Sequence, residues 1–259
     1  MMLLLIFAVG LLAGFVDAIA GGGGLIMLPG LLFTGLPVSS AIATNKLCGT
    51  FGALTSTLKF AQSKQIDWRA CAAMGIPVVI GAYLGSRSIG LLPSAWAEPL
   101  VIVLMVAITF FVACNPGFGM KKRPEQDSGV KRSPQQNLQR VLGSVLAGSA
   151  IGFHDGFFGP GTGIFLVFAL LSLWSLDFLR ATGTTKLLNF LANVTALITF
   201  ATTGGIDYPK GICGALGVII GSFLGATFAT KQGAKLIKPI FIAVTTTLVA
   251  KLLLDYAMG

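Results

Sequence analysis

The chain has 259 residues, of which 54% are hydrophobic and only 10% charged. A soluble domain carries about 25% charged residues, so this chain has too few polar groups to cover a water-facing surface and reads as an all-α polytopic membrane protein. Its formal net charge of +9 lies mostly in loops and reports topology before any acidic partner. No basic stripe with interleaved aromatics marks a nucleic-acid surface.

The N-terminal run to Ala20 lacks the basic flank of a cleaved signal peptide and is read as the first membrane segment. Further apolar segments fall at about 25–35, 38–60, 70–90, 96–114, 141–158, 163–175, 178–202, 211–230 and 236–255. Segments 25–35 and 163–175 are shorter than the roughly 20 residues a spanning helix needs. Each follows a glycine cluster, Gly21-Gly22-Gly23-Gly24 or Gly159-Pro160-Gly161-Thr162-Gly163. Each half, 1–114 and 141–259, is therefore expected to hold a broken or re-entrant hairpin and then three crossings. Residues 115–140, with Lys121, Lys122 and Arg123, form the linker. Lys59, Lys64 and Arg69 share its side, which makes that side cytoplasmic. The loop carrying Lys231, Lys235 and Lys238 joins them only if the second break is a hairpin or two crossings. That choice makes the halves an inverted repeat, the arrangement common in secondary transporters.

The repeat is visible at an offset of 140 residues, which pairs Lys46 with Lys186, Asp67 with Asp207, Gly81 with Gly221, Gly85 with Gly225 and Pro99 with Pro239. A lysine at mid-membrane costs about 2.5–3.5 kcal/mol on insertion scales and marks a functional site by default. Lys46 and Lys186 are expected to hold an anion from opposite halves, the substrate supplying the missing negative partner. Thr44, Asn45, Thr184 and Thr185 adjoin them, and Asn189 and Asn193 follow one and two turns beyond Lys186. Backbone amides freed at the glycine breaks, Gly22, Gly23 and Gly161 among them, suit an anion as well. Close helix packing is the competing reading for these glycines, and snorkelling or internal pairing the competing one for the lysines.

Asp17 and Asp155 each precede a glycine cluster by four residues, and Asp155 follows His154, the single histidine. Such carboxylates either neutralise a lysine or carry a coupling proton, with His154 as a candidate relay. Gly81 and Gly85, like Gly221 and Gly225, match the small-xxx-small pattern of close helix contact. Cys48, Cys71, Cys114 and Cys213 have no metal-ligand spacing and read as small apolar residues. No metal, cofactor or catalytic residue is expected, since no nucleophile accompanies His154 and Asp155.

Three stretches together, Asp17-Ala18-Ile19-Ala20 with the four glycines, Ala43-Thr44-Asn45-Lys46, and Gly152-Phe153-His154-Asp155-Gly156 through Gly161, resemble the sulfite exporter TauE/SafE family over nearly the whole chain. The resemblance implies a multi-pass carrier in a bacterial-type inner membrane. Its partners would be membrane lipid and a small sulfur-containing anion such as sulfite or an organosulfonate, with export the expected direction and a proton a candidate coupling ion. Thr185 stands where the first half has Asn45, so the half-sites are not equivalent. A passive anion channel, or a carrier of a non-sulfur organic anion, stays open as an alternative.

Overall fold

The computed structural model describes residues 2–89 and 134–232, all helical or in short connections. The first half contributes α1 (Met2–Ala20), α2 (Gly24–Leu32), α3 (Val38–Gln62) and α4 (Trp68–Ile89). The second contributes α5 (Pro134–Phe157), α6 (Thr162–Leu173), α7 (Phe178–Thr203) and α8 (Tyr208–Gln232). The segments expected at 96–114 and 236–255, and most of the linker, lie outside the described residues. Helix α5 starts at Pro134, seven residues before the expected 141, inside the stretch read as linker. Its first turns are polar and exposed, so hydropathy alone does not reveal them, and proline suits a first helical position.

The breaks fall where the glycines are. Gly21, Gly159 and Gly161 have φ of +72°, +96° and +84°, a region open to glycine and strained for other residues. Helix α2 then has 9 residues and α6 has 12, about 14 and 18 Å of helix, too short to cross a bilayer alone. Gly30 packs on Val9 and Gly143 on Leu173, so each short helix runs back beside the one before it. The repeated aspartates are helix caps. Asp67 accepts from the Ala70 amide at 2.9 Å and Asp207 from the Lys210 amide at 3.0 Å.

Neighbours across the halves are reciprocal. Gly10 and Gly14 of α1 lie on Gly214 and Val218 of α8, while Gly217 and Gly221 of α8 lie on Phe7 and Leu11 of α1. Gly81 and Gly85 of α4 meet Ser149 and Phe153 of α5, and Gly152 and Gly156 of α5 meet Val78 and Ala82. Residue numbers rise together in both pairs, so α1 runs parallel to α8 and α4 parallel to α5. The same holds for α3 beside α8, where Leu47 meets Gly211 and Gly52 meets Val218, and for α4 beside α7, where Cys71 meets Thr184 and Gly75 meets Leu191. A threonine hydroxyl ties each junction: Thr44 accepts from the Asp207 amide at 3.0 Å, and Thr184 from the Asp67 amide at 2.9 Å.

Outward faces are apolar. Ile76, Ile80, Tyr83 and Leu84 on α4 are exposed, and so are Leu216, Ile220, Phe223 and Leu224 at the repeat-equivalent positions of α8. So regular an exposed apolar face is a liability in water and an asset in lipid. Among the described helices, α1, α4 and α8 are long and apolar enough to cross a membrane. Helices α3 and α7 have the length, 25 and 26 residues, but they carry the buried lysines, threonines and asparagines.

The glycine contacts make a test. A side chain at Gly14 would drive into the Val218 backbone, whereas at Gly75 the nearest atom is the end of Leu191 at 3.4 Å. Overpacking of this kind costs roughly 1–3 kcal/mol or more. Gly14→Leu is expected to lower thermal stability in detergent and the yield of monodisperse protein, while Gly75→Ala stays near wild type. Equal stability of the two variants would contradict the packing described.

Candidate functional site

The two breaks touch: a Cβ at Gly21 would lie 2.8 Å from the Gly163 Cα, and one at Gly163 would lie 2.6 Å from the Gly21 Cα. Helix α3 passes the second break and α7 passes the first, and each delivers its lysine there. Lys46 Nζ donates to Asp155 Oδ2 at 2.7 Å. Lys186 Nζ donates to Asp17 Oδ2 at 3.0 Å and also to the Asp17 backbone carbonyl. Each ammonium thus sits in the last turn of the broken helix of the other half, where unpaired carbonyls and the helix dipole favour a cation. The Lys46 ammonium lies so close over Gly159 that a Cβ there would come within 2.7 Å of it.

These charges are largely buried. Side-chain exposure is 1% for Lys46 and 2% for Asp155, and 0% for Lys186 and 17% for Asp17. The expectation that the substrate supplies a missing counter-ion is therefore corrected, because each lysine already has one from the opposite half. The Gly23 amide differs from expectation too: its N–H donates to Asp17 Oδ1 at 3.2 Å, so the protein's own carboxylate occupies it.

A cavity of about 490 Å3, counting its open mouth, lies at this junction. Of the expected site residues, Lys46, Asn45, Asn189, Gly23, Gly161, Asp17 and Asp155 line it. Lys186, Thr44, Thr185, Gly22 and His154 do not. Thr44 is spent on the Asp207 amide, Thr185 is fully buried with an unpaired hydroxyl, and Lys186 is shut behind Asp17. Asn193, on the Asn189 face of α7, also lines the cavity; its amide donates to the Asn189 carbonyl at 2.8 Å. Gly49 of α3 makes room for it, since a Cβ there would meet Asn193 Oδ1 at 2.9 Å. No periodicity in the sequence announces Gly49; its value lies in a neighbour 144 residues away.

His154 is held apart from Asp155. The Thr162 hydroxyl donates to the Gly159 carbonyl at 2.7 Å, so at 3.3 Å it accepts from His154 Nδ1. The other ring nitrogen is buried without a partner, and the ring edges face Phe158 and Phe165. No contact supports its expected place in a proton relay.

Taken together, the cavity presents one ammonium, paired but reachable, with the side chains of Asn45 and Asn189 beside it and two carboxylates. Removing one member of a buried pair typically costs about 3–5 kcal/mol, whereas removing both is often close to neutral. Lys46→Met is therefore expected to destabilise the protein, and Lys46→Met with Asp155→Leu to regain most of the loss, measured by thermal unfolding of monodisperse protein. A double variant no more stable than the single one would break the assignment of the pair.

The family model described as sulfite exporter TauE/SafE matches residues 6–252. Three relatives are named as probable membrane transporter proteins. One, ORF9 from Sinorhizobium sp., is 33% identical over 98% of this chain and 93% of its own. Another, from Haemophilus influenzae, is 34% identical over 98% and 95%. YfcA of Escherichia coli K12 is 30% identical over 96% and 89%. No solved structure matches the chain. With nearly its whole length matched and its apolar helices turned outward, the chain belongs to the sulfite exporter TauE/SafE family of multi-pass membrane transporters.

Proposed function

We propose that the protein is a secondary transporter that exports a small sulfur-containing anion, sulfite or an organosulfonate, across a bacterial-type inner membrane. The observation that carries this reading is the cavity where the two glycine breaks meet, lined by the Lys46 ammonium and the amides of Asn45 and Asn189. An ammonium and neutral amide donors are what a compact oxyanion needs. The sulfur chemistry comes from the description of the matched family.

Alternating access in such a carrier calls for two halves of opposite orientation around one site. The helix directions support that. Helices α1, α3 and α8 run one way; α4 turns back from α3 through a connection of five residues, 63–67, and α5 and α7 lie parallel to α4. The repeat partners α3 and α7 then run oppositely, as do α1 and α5, and this supports the reading of an inverted repeat with a re-entrant hairpin at each break. The charges follow the same division. Lys59, Lys64, Arg69, Arg140, Arg180 and Lys231 fall at one end of the bundle and Arg87 and Lys210 at the other. The Arg180–Asp67 pair at 3.5 Å joins the halves at the basic end. By the excess of positive charge that end is cytoplasmic, and the central loop with it.

The test is a ligand screen on purified protein, by thermal shift and by flux in proteoliposomes, with sulfite, sulfate, thiosulfate, sulfoacetate, methanesulfonate and taurine, and with carboxylates as controls. Saturable binding and counterflow of sulfur anions, weakened about tenfold to hundredfold in Asn45→Ala and Asn189→Ala by loss of a charge-assisted hydrogen bond of roughly 1.5–3 kcal/mol, are expected. Preference for carboxylates would reassign the substrate. Non-saturating flux without counterflow would make the protein a channel.

A further inference from the structure

We propose that Asp155 is the proton-binding group of the transport cycle, and that anion and proton divide a single ion pair: the anion takes the Lys46 ammonium and the proton takes the carboxylate that Lys46 releases. The inference rests on the transport reading above and deepens it by naming the coupling group and the charge moved.

Charge balance comes first. Lys46, Lys186, Asp17 and Asp155 sum to zero in the empty site. An anion that enters alone leaves one uncompensated negative charge in a region nearly closed to water, and an unpaired buried charge is the costliest state available. One proton taken up with a monoanion restores neutrality.

Geometry then chooses between the two carboxylates. Lys46 lines the cavity and Lys186 does not, so an entering anion reaches the Lys46–Asp155 pair. Asp155 has Lys46 as its hydrogen-bond partner and is left without one when the ammonium turns to the anion. Asp17 keeps the Gly23 N–H as well as Lys186, which is further anchored on the Asp17 carbonyl. Asp17 thus keeps its partners when an anion enters, and Asp155 loses its own. Among the described residues the ionisable groups around Asp155 are few: Lys46 on α3, Asp17 on α1 across the cavity with Lys186 of α7 behind it, and His154 on its own helix, bonded to Thr162. Helix α6 has no ionisable side chain, and α4 turns Gly81, Ala82 and Gly85 to α5.

The proton comes from bulk water to Asp155 and no covalent bond of the anion changes, so a monoanion crosses with one proton and no net charge. The probe is methanesulfonate, a monoanion that does not itself titrate near neutral pH; if only another anion of the screen binds, it replaces methanesulfonate with its own proton release subtracted. Binding to wild-type protein in weakly buffered detergent should take up about one proton per anion, as linkage requires when a carboxylate gains a proton in the complex. Asp155→Asn should take up none, while Asp155→Glu retains the uptake. In proteoliposomes, a pH gradient should drive accumulation by the wild type at a rate indifferent to a potassium–valinomycin potential. In Asp155→Asn, whatever anion flux remains should no longer respond to pH and should follow the potential. Proton uptake that survives Asp155→Asn overturns the proposal while leaving transport intact. So does wild-type flux that follows the potential and ignores the pH gradient. Folded wild-type protein that binds and moves no anion of the screen removes the transport reading itself, and this inference falls with it.

Discussion

A lysine ammonium inside a membrane segment must meet an anion, and this protein brings it one from the opposite half of the chain. Lys46 reaches Asp155 at 2.7 Å and Lys186 reaches Asp17 at 3.0 Å. Both aspartates lie in the final turn of a helix that stops at glycine. Each lysine therefore neutralises a buried carboxylate, and Lys186 also bonds the Asp17 carbonyl at the end of its broken helix. Neither half provides both members of a pair.

The packing follows from this crossing-over. To bring each lysine to the other half's break, the halves must interleave, and they do so through small residues. Helix α1 lies on α8 and α4 on α5, with glycines on both sides of each contact. In lipid, where apolar side chains gain little by leaving the solvent, close backbone approach is a main source of helix association. The exposed surfaces of α4 and α8 carry the matching apolar rows at the same repeat positions.

Symmetry in the frame contrasts with asymmetry at the centre. The threonine junctions, the caps at Asp67 and Asp207 and the two ion pairs repeat closely. The cavity does not. Asn189 and Asn193 correspond to Gly49 and Ala53, and Thr185 to Asn45. One lysine faces the cavity and its counterpart is sealed.

Much of this was legible in the sequence. The offset of 140 residues exposed the repeat, the glycine clusters marked where the helices break, and the charge-poor composition required lipid. Lysines and aspartates in apolar segments announced the buried charges that pair in the structure, since the cost of burying them demands a reason. What the sequence left open was pairing. Spacing along a helix says which residues share a face, but not which face a distant helix turns toward it. That Lys46 meets Asp155 rather than a free anion depends on a contact 109 residues apart. Nor could spacing tell that Thr44 is spent on the Asp207 amide, or that Gly49 is a glycine to admit Asn193. Composition and periodicity determined the class of molecule, the repeat and the candidate charges, because those follow from solvent and local geometry. Only the tertiary structure decided which charges neutralise each other and which stay within reach of the cavity, because that depends on how the two halves interlock.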